Sequence, residues 1–153
     1  MTIALRKTMD GVIEAIESKD VDLLLNYFAD DAVLFDPHFP VSNMEGKSLI
    51  RCSYNWAFLS VKELCISIER EFTSSDGQSG VFELRTKYRS QTGRQQTFFQ
   101  MFILEMKNDK ILRLQVYTPS APKNNFRPLL SVSRLIKRLF RRDVDPGTPV
   151  YLK

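Results

Sequence analysis

The stretch K-D-V-D-L-L-L-N-Y-F-A-D-D-A-V-L-F-D-P at residues 19–37 predicts a helix, a strand and a loop in direct succession. Asp20 suits the N-cap of a short helix, because an aspartate side chain accepts a hydrogen bond from a backbone N–H of the first turn. AVLF at 32–35 is short and apolar, as expected of a buried strand. DPHFP at 36–40 contains two prolines, which exclude both a helix and a central strand. The stretch therefore predicts an ordered loop at the end of a core strand.

The segments on either side extend this pattern into an α+β domain. Residues 3–18 carry apolar side chains at three- and four-residue steps, which predicts an amphipathic helix. After the loop, Gly46 precedes a third helix, KSLIRCSYNWAFL, and the apolar period then changes to two. Four long strands follow, separated by turns, at 64–72, 80–90, 95–107 and 111–118. Helices followed by a meander predict three N-terminal helices packed on a curved antiparallel sheet.

Positive charge is concentrated towards the C-terminal end of the sequence. The 153 residues carry a net charge of +4, yet residues 123–142 alone hold seven Lys and Arg and no acid. We therefore divide the chain into a domain, residues 1–120, and an extension, residues 121–153, with a basic amphipathic helix at about 128–142. Such a helix binds a membrane surface or a protein groove, or its apolar stripe docks on the domain or on a dimer partner. A nucleic-acid partner is not predicted, because the charge is confined to one short stretch with no recognised module.

The composition argues against several classes of protein and site. No apolar run reaches the roughly 18–20 residues that span a bilayer, and the N-terminus lacks the apolar region of a signal peptide, so we expect a cytoplasmic protein. Cys52 and Cys65 lack zinc-site spacing and are predicted to be reduced, mostly buried thiols. His38 is the only histidine, and no phosphate-binding glycine loop or G-x-S-x-G motif is present. We predict neither a metal nor a cofactor.

The order of these elements resembles the nuclear-transport-factor-2-like superfamily, and in particular its ketosteroid-isomerase and SnoaL-like polyketide-cyclase branch. The residues that carry the resemblance are the quoted stretch at 19–37, G-K-S-L-I-R-C-S-Y at 46–54 and N-D-K-I-L-R-L-Q-V-Y at 108–117. The resemblance covers residues 8–118. It implies a cone-shaped fold, usually dimeric, with a pocket between helices and sheet. It does not imply a reaction, because one fold carries many functions.

The same resemblance supplies candidate catalytic residues. Asp36 occupies the position of the general base of ketosteroid isomerases, and Tyr54 matches a further tyrosine of that family. The two isomerase residues that donate hydrogen bonds to the enolate oxygen correspond here to Val12 and Phe102, which are both apolar. His38 lies two residues after Asp36 and is a candidate assisting group, because imidazole exchanges protons near neutral pH.

Asp36 and His38 each have a structural alternative. An aspartate before a proline is a common turn residue whose side chain caps nearby backbone N–H groups. A histidine in a proline-flanked loop is often structural or exposed. The sequence therefore leaves open whether these two residues face a ligand or stabilise the loop.

A second set of residues forms the predicted lining of the pocket. Alternation along the strands points one face inward and gives a mostly apolar lining with few polar groups, as in small-molecule sites. The predicted ligand-binding residues are Trp56, Phe82, Leu84, Tyr88, Phe98, Gln100, Phe102, Leu114 and Val116, and Thr86 and Thr118 lie on the same face. The alternative is that these side chains simply fill the cone.

Two functions are compatible with these patterns. The first is a protein that binds a small apolar ligand, with acid/base chemistry on a carbonyl-bearing hydrophobic substrate as an extension that the sequence leaves open. The second is a non-catalytic dimeric interaction module that uses the basic C-terminal helix for a protein partner or a membrane surface. In both, the opposite face of the sheet has an apolar centre at Met101 and Ile103 ringed by charge, which predicts a homodimer through the sheet.

Overall fold

Residues 3–118 are the part of the chain that the computed structural model describes, and they form three helices and six strands. The helices are α1 (Ile3–Ser18), α2 (Val21–Leu25) and α3 (Lys47–Ser60). The strands are β1 (Phe28–Phe35), β2 (Asn43–Glu45), β3 (Val61–Thr73), β4 (Ser79–Ser90), β5 (Gln95–Lys107) and β6 (Lys110–Tyr117). The predicted extension, 121–153, with its helix at about 128–142, lies outside the described residues.

The six strands form one mixed sheet in the order β2-β1-β6-β5-β4-β3. β1 runs parallel to β6, and every other neighbouring pair is antiparallel. The four long strands pair antiparallel as predicted, but the prediction of an antiparallel sheet is wrong for β1, which runs parallel to β6. A hairpin turn forces antiparallel pairing, but β1 and β6 are separated by α3 and the whole meander, so no hairpin dictates their direction.

The loop after β1 is closed by a short strand that the sequence analysis missed. β2 has three residues and pairs antiparallel with β1, with Leu34 opposite Met44. The loop between them is tied at its base, where the backbone N–H of Asp36 donates to the carbonyl oxygen of Ser42 at 2.9 Å. Three residues are too few to show an alternating pattern, so the sequence carried no signal for β2.

The helices cover the inner face of the sheet and enclose the core with it. Asp20 begins α2 as predicted, with its side chain accepting a hydrogen bond from the N–H of Leu23 at 2.8 Å. α1 packs against β3, and α3 packs against β1, β2 and β3. The shared core contains side chains from α1, the sheet and both flanks of the loop, among them Leu5, Met9, Val12, Phe28, Leu34, Phe82, Leu84 and Leu104.

Both cysteines are exposed, contrary to the prediction of mostly buried thiols. α3 buries Ile50, Ser53 and Tyr54, and Cys52 lies on the other side of that helix. Cys65 lies on β3, where it alternates with the half-buried Leu64 and Ile66. Each thiol lies on the solvent side of an amphipathic element, and residue type alone does not reveal that.

Among residues 3–118, none of the helices has the length and apolar character that a membrane span requires.

The close approach of α1 to the start of β1 depends on one glycine. A Cβ atom at Gly11 would collide with the ring and hydroxyl of Tyr27. The carbonyl oxygen of Tyr27 accepts a hydrogen bond from the N–H of Ile111 at 2.8 Å, which anchors this residue next to β6. Gly11 therefore provides the space in which Tyr27 packs.

We expect Gly11→Ala to destabilise the protein by about 1–3 kcal/mol, because the new methyl group overpacks the contact with Tyr27. In an open helical position the same change would stabilise by about 1 kcal/mol. Urea unfolding measures the effect, and Tyr27→Ala is the control background, because there the space is vacant. A loss of the same size in both backgrounds would contradict the proposed packing.

Candidate functional site

Asp36, His38 and Thr118 form a hydrogen-bonded chain where β1 and β6 end. Asp36 directly follows β1 and is only 7% exposed. Its Oδ1 accepts a hydrogen bond from the backbone N–H of His38 at 2.9 Å and lies 2.7 Å from Nδ1 of the same residue. The other ring nitrogen of His38, Nε2, is 3.2 Å from Oγ1 of Thr118. The carboxylate thus caps its own loop, as the structural alternative for Asp36 predicts, and also holds the imidazole.

These contacts determine the tautomer of the neutral imidazole. An ionised carboxylate only accepts hydrogen bonds, so Nδ1 carries the proton that it donates to Asp36. Nε2 then accepts from the hydroxyl of Thr118. Burial of His38 lowers its pKa, but the hydrogen bond to Asp36 and the negative charge of Asp36 outweigh burial, and the pKa is raised above 6.5.

Tyr54 lies near this pair as a buried phenol. Its ring packs between those of Phe39 and Phe58, with centroid distances of 5.2 Å and 5.5 Å. Burial, and secondly the charge of Asp36, raise the pKa of Tyr54 well above its ordinary value of 10.0. The hydroxyl therefore stays protonated at neutral pH and is available as a hydrogen-bond donor.

All the residues predicted to line the pocket except Trp56, which lies on α3, are on the inner face of the sheet. Seven are buried: Phe82, Leu84, Tyr88, Gln100, Phe102, Leu114 and Val116. The remaining two, Trp56 and Phe98, are half-buried. The ring centroid of Phe98 lies 6.3 Å from that of His38, which joins this face to the Asp36 loop, and Trp56 packs against the core from α3.

Two polar residues of this interior, Thr86 and Ser53, were not predicted as site residues from the sequence. Thr86 Oγ1 donates a hydrogen bond to Oε1 of Gln100 at 3.0 Å between two buried side chains. Ser53 on α3 is 1% exposed, and its hydroxyl has no hydrogen-bond partner within residues 3–118. Strand alternation correctly placed Thr86 on the inner face, but the bond to Gln100 depends on the β4–β5 register, which the sequence does not reveal.

The interior lacks the two hydrogen-bond donors that ketosteroid isomerases direct at the enolate oxygen. Val12 is fully buried in α1 and Phe102 is buried on β5, so both positions contribute apolar packing instead of hydrogen-bond donors. Within the described residues, no group of three or more His, Cys, Asp or Glu side chains is placed to hold a metal ion. The groups available for chemistry are a buried carboxylate, an imidazole, a phenol and a carboxamide.

Three helices against one face of a six-stranded mixed sheet, with a buried Asp-Pro loop at the sheet's edge, define a nuclear-transport-factor-2-like protein of the ketosteroid-isomerase-like fold. The SnoaL-like domain family matches residues 9–114, so the chain belongs to that family. A comparison with curated proteins gives no match.

Solved structures share the fold at low sequence identity. The Δ5-3-ketosteroid isomerase from Mycobacterium sp. is 20% identical, with a TM-score of 0.66 over 74% of this chain and 92% of that one. Rv0760c from Mycobacterium tuberculosis, solved in complex with estradiol-17β-hemisuccinate, is 16% identical, with a TM-score of 0.65 over 74% and 92%. A ketosteroid-isomerase-like protein from Catenulispora acidiphila, solved in complex with trimethylamine, is 15% identical, with a TM-score of 0.65 over 72% and 84%. At these identities the likeness concerns the fold.

The Asp36–His38 contact predicts a characteristic titration. His38 is the only histidine, so its imidazole C2 proton is readily identified by NMR. We expect a pKa above 6.5 in the wild type, and a pKa below 6.5 in Asp36→Asn, because burial then acts without the carboxylate's charge. The exposed turn variant Asp109→Asn is the control and should leave the titration of His38 unchanged.

The same contact predicts how stability depends on pH. Because folding raises the pKa of His38, the protonated imidazole stabilises the fold fully below about pH 6.5, and this contribution is lost as the pH rises through the folded-state pKa. The stability advantage of wild type over Asp36→Asn should therefore shrink as the pH rises above about 6.5. An advantage that grows with pH would contradict the assignment.

Proposed function

We propose that the protein binds a small, largely apolar molecule between its helices and the inner face of the sheet, and that Asp36 acts there as a general base with His38 assisting. The substrate class is a carbonyl-bearing hydrophobic ring compound. The observation that carries this proposal is a buried carboxylate, hydrogen-bonded to the only histidine, at the edge of an otherwise apolar interior.

Burial makes the Asp36 carboxylate costly for the fold, which favours a role beyond capping a turn. Taking a carboxylate out of water is unfavourable unless it gains hydrogen bonds and a partner charge. An exposed turn is capped equally well without that cost, as Asp76 does by accepting from the N–H of Gln78 at 2.9 Å in the β3–β4 turn. A buried carboxylate beside apolar side chains is instead suited to removing a proton from a carbon acid.

His38 provides the second part of this chemistry. When Asp36 removes a proton from a carbon next to a carbonyl, Nδ1 of His38 keeps donating its hydrogen bond to Oδ1 over 2.7 Å, so the substrate's proton is carried by the other carboxyl oxygen, Oδ2. Tyr54 stays protonated because its pKa is raised, so its hydroxyl can donate a hydrogen bond to a ligand without titrating. The proton returned to another carbon of the same substrate leaves the protein unchanged.

Ligands of proteins with the same fold support a small-molecule role. Rv0760c was solved with estradiol-17β-hemisuccinate and the Catenulispora acidiphila protein with trimethylamine, so this architecture accommodates small molecules of quite different size. Trp56 offers a direct probe of binding to this chain, because it is the only tryptophan and it packs against the core from α3.

Proton exchange tests the role of Asp36 without knowledge of the natural substrate. 2-Tetralone in D2O exchanges its α-protons for deuterium, and we expect the wild type to accelerate this exchange by about 100-fold or more. Asp36→Asn should abolish the acceleration and keep the Trp56 fluorescence change on ligand binding, whereas the control Asp109→Asn should behave as wild type. NMR of the ketone measures the exchange. Undiminished acceleration by Asp36→Asn would reject the catalytic role.

We further propose that the outer face of the sheet forms a homodimer. Phe99, Met101 and Tyr117 are 54%, 37% and 37% exposed, and Met101 lies opposite Tyr117 in the register of β5 and β6. Paired charges border these residues, including Arg85 with Glu69 at 2.9 Å, and the Arg85 guanidinium lies 5.6 Å from the centre of the Phe99 ring. An apolar centre with a charged rim fits a protein–protein interface.

Met101→Glu should disrupt this dimer, because a twofold axis brings the same patch of both subunits together and the introduced charges would repel. We expect the dissociation constant to rise by about 100-fold or more, measured by analytical ultracentrifugation. Leu59→Glu is the matched control, since Leu59 is an apolar residue of α3 that is 77% exposed. A monomeric wild type, or equal dissociation by both variants, would rule out the interface.

A further inference from the structure

The hydrogen bond between Thr86 and Gln100 is unusual for its position in an apolar interior. Thr86 is 2% exposed and Gln100 is 9% exposed, and both lie on the inner face of the sheet, on β4 and β5. Oγ1 of Thr86 donates to Oε1 of Gln100 at 3.0 Å. A carboxamide has two N–H donors in addition to its oxygen, and these stay available to a ligand when the oxygen is occupied.

The bond from Thr86 orients the carboxamide of Gln100. Because the threonine hydroxyl occupies the oxygen, the amide nitrogen points away from Thr86. This nitrogen donates no hydrogen bond to any of residues 3–118. The structure thus presents the two oriented N–H donors of Gln100 on the inner face. The neighbouring inward side chains of the same strand, Phe98 and Phe102, are aromatic.

The strand register, continued by one residue beyond β6, brings Gln100 next to Thr118, which contacts His38. Met101 lies opposite Tyr117 and Phe102 opposite Val116, so the same register continued by one residue sets Thr118 opposite Gln100. Residues opposite each other on neighbouring strands have Cβ atoms about 4.5–5.5 Å apart. Thr118 is the residue whose hydroxyl contacts Nε2 of His38.

Phe98 connects Gln100 to the site from the other side. It precedes Gln100 by two residues on the same face of β5, a rise of about 6.5–7 Å, and its ring lies 6.3 Å from that of His38. Gln100 therefore neighbours two residues that contact His38, Phe98 on its own strand and Thr118 beyond the end of β6.

We propose that Gln100, oriented by Thr86, donates a hydrogen bond to a carbonyl oxygen of the ligand while Asp36 acts on the adjacent carbon. This inference rests on the proposed function and names its substrate class more closely, as a hydrophobic ketone or enolisable dicarbonyl compound. When Asp36 takes the α-proton, the C–H electron pair moves into the carbonyl and negative charge develops on the oxygen. Gln100 stabilises that charge through its hydrogen bond and transfers no proton, because a carboxamide does not ionise near neutral pH.

The proposed role of Gln100 also replaces the hydrogen-bond donors that are missing at Val12 and Phe102. Those two positions provide no donor to an enolate oxygen, because both side chains are apolar. Gln100 lies two residues from Phe102 on the same face of the same strand, so it can place a donor in the same region from a neighbouring position. Gln100 is then a catalytic residue that touches the substrate, and Thr86 is a positioning residue that acts through it.

The test compares 2-tetralone with tetralin, which has the same rings and no carbonyl oxygen. Binding is followed through Trp56 fluorescence in wild type and in Gln100→Met, which keeps the length of the side chain and removes its donors. We expect Gln100→Met to bind 2-tetralone about 5- to 10-fold more weakly and tetralin unchanged. The infrared carbonyl band of bound 2-tetralone should move to higher wavenumber in this variant, because the hydrogen bond that weakens the C=O bond is lost.

Two further variants separate a specific role from a structural one. Thr86→Val keeps the shape of Thr86 but releases the carboxamide, and it should produce a smaller band shift in the same direction. Gln95→Met removes an exposed carboxamide near the start of the same strand and should leave affinity and band unchanged. An unchanged ketone affinity and carbonyl band in Gln100→Met would overturn the role of Gln100 while the proposed function stands.

A failure of the proposed function would look different. If neither 2-tetralone nor tetralin binds to the wild type, the pocket itself is rejected and the role of Gln100 with it. If Gln100→Met does not fold, the side-chain amide signals of Gln100 in the ¹⁵N-labelled wild type provide the test. These signals should shift on addition of 2-tetralone and not of tetralin, and equal behaviour with both compounds would overturn the inference.

Discussion

The parallel pairing of β1 with β6 is the constraint on which the candidate site depends. Parallel strands end at the same edge of a sheet, and here Phe35 lies opposite Gln115. The residues that follow each strand, Asp36 on one side and Thr118 on the other, therefore meet at that edge. An antiparallel pairing would send the end of β1 to the opposite edge and would separate the carboxylate from Thr118 and from Phe98.

This arrangement makes the Asp36 loop a rigid part of the core. The loop is tied at its base to Ser42 and is continued by β2, so the carboxylate is held in place by backbone bonds on both sides. The imidazole of His38 then bridges two elements that are 80 residues apart in sequence. A buried charge needs such support, and the support in turn limits where Asp36 and His38 can act.

The interior combines this charged edge with an apolar face that carries one oriented carboxamide. Membership of the SnoaL-like family defines the fold, but the family includes many activities, and Val12 and Phe102 separate this chain from the isomerase pattern. The functional proposal therefore rests on this chain's own groups: a base at Asp36, an imidazole at His38 and donors at Gln100. Polar groups at one end of an apolar interior favour a ligand with a polar oxygen at one end of an apolar body.

Local pattern in the sequence determined most of the elements: the amphipathic α1, the Asp20 cap, α3, and the strands whose alternation placed Phe82, Leu84 and Phe102 inward. These features are readable because each depends on residues within a few positions of one another. Only the tertiary structure decided the mixed direction of the sheet, the existence of β2, the exposure of Cys52 and Cys65, and the meeting of Asp36, His38 and Thr118. Each of these depends on which distant segments pair and in which register, and the free energy of that pairing comes from contacts that no short window of sequence contains.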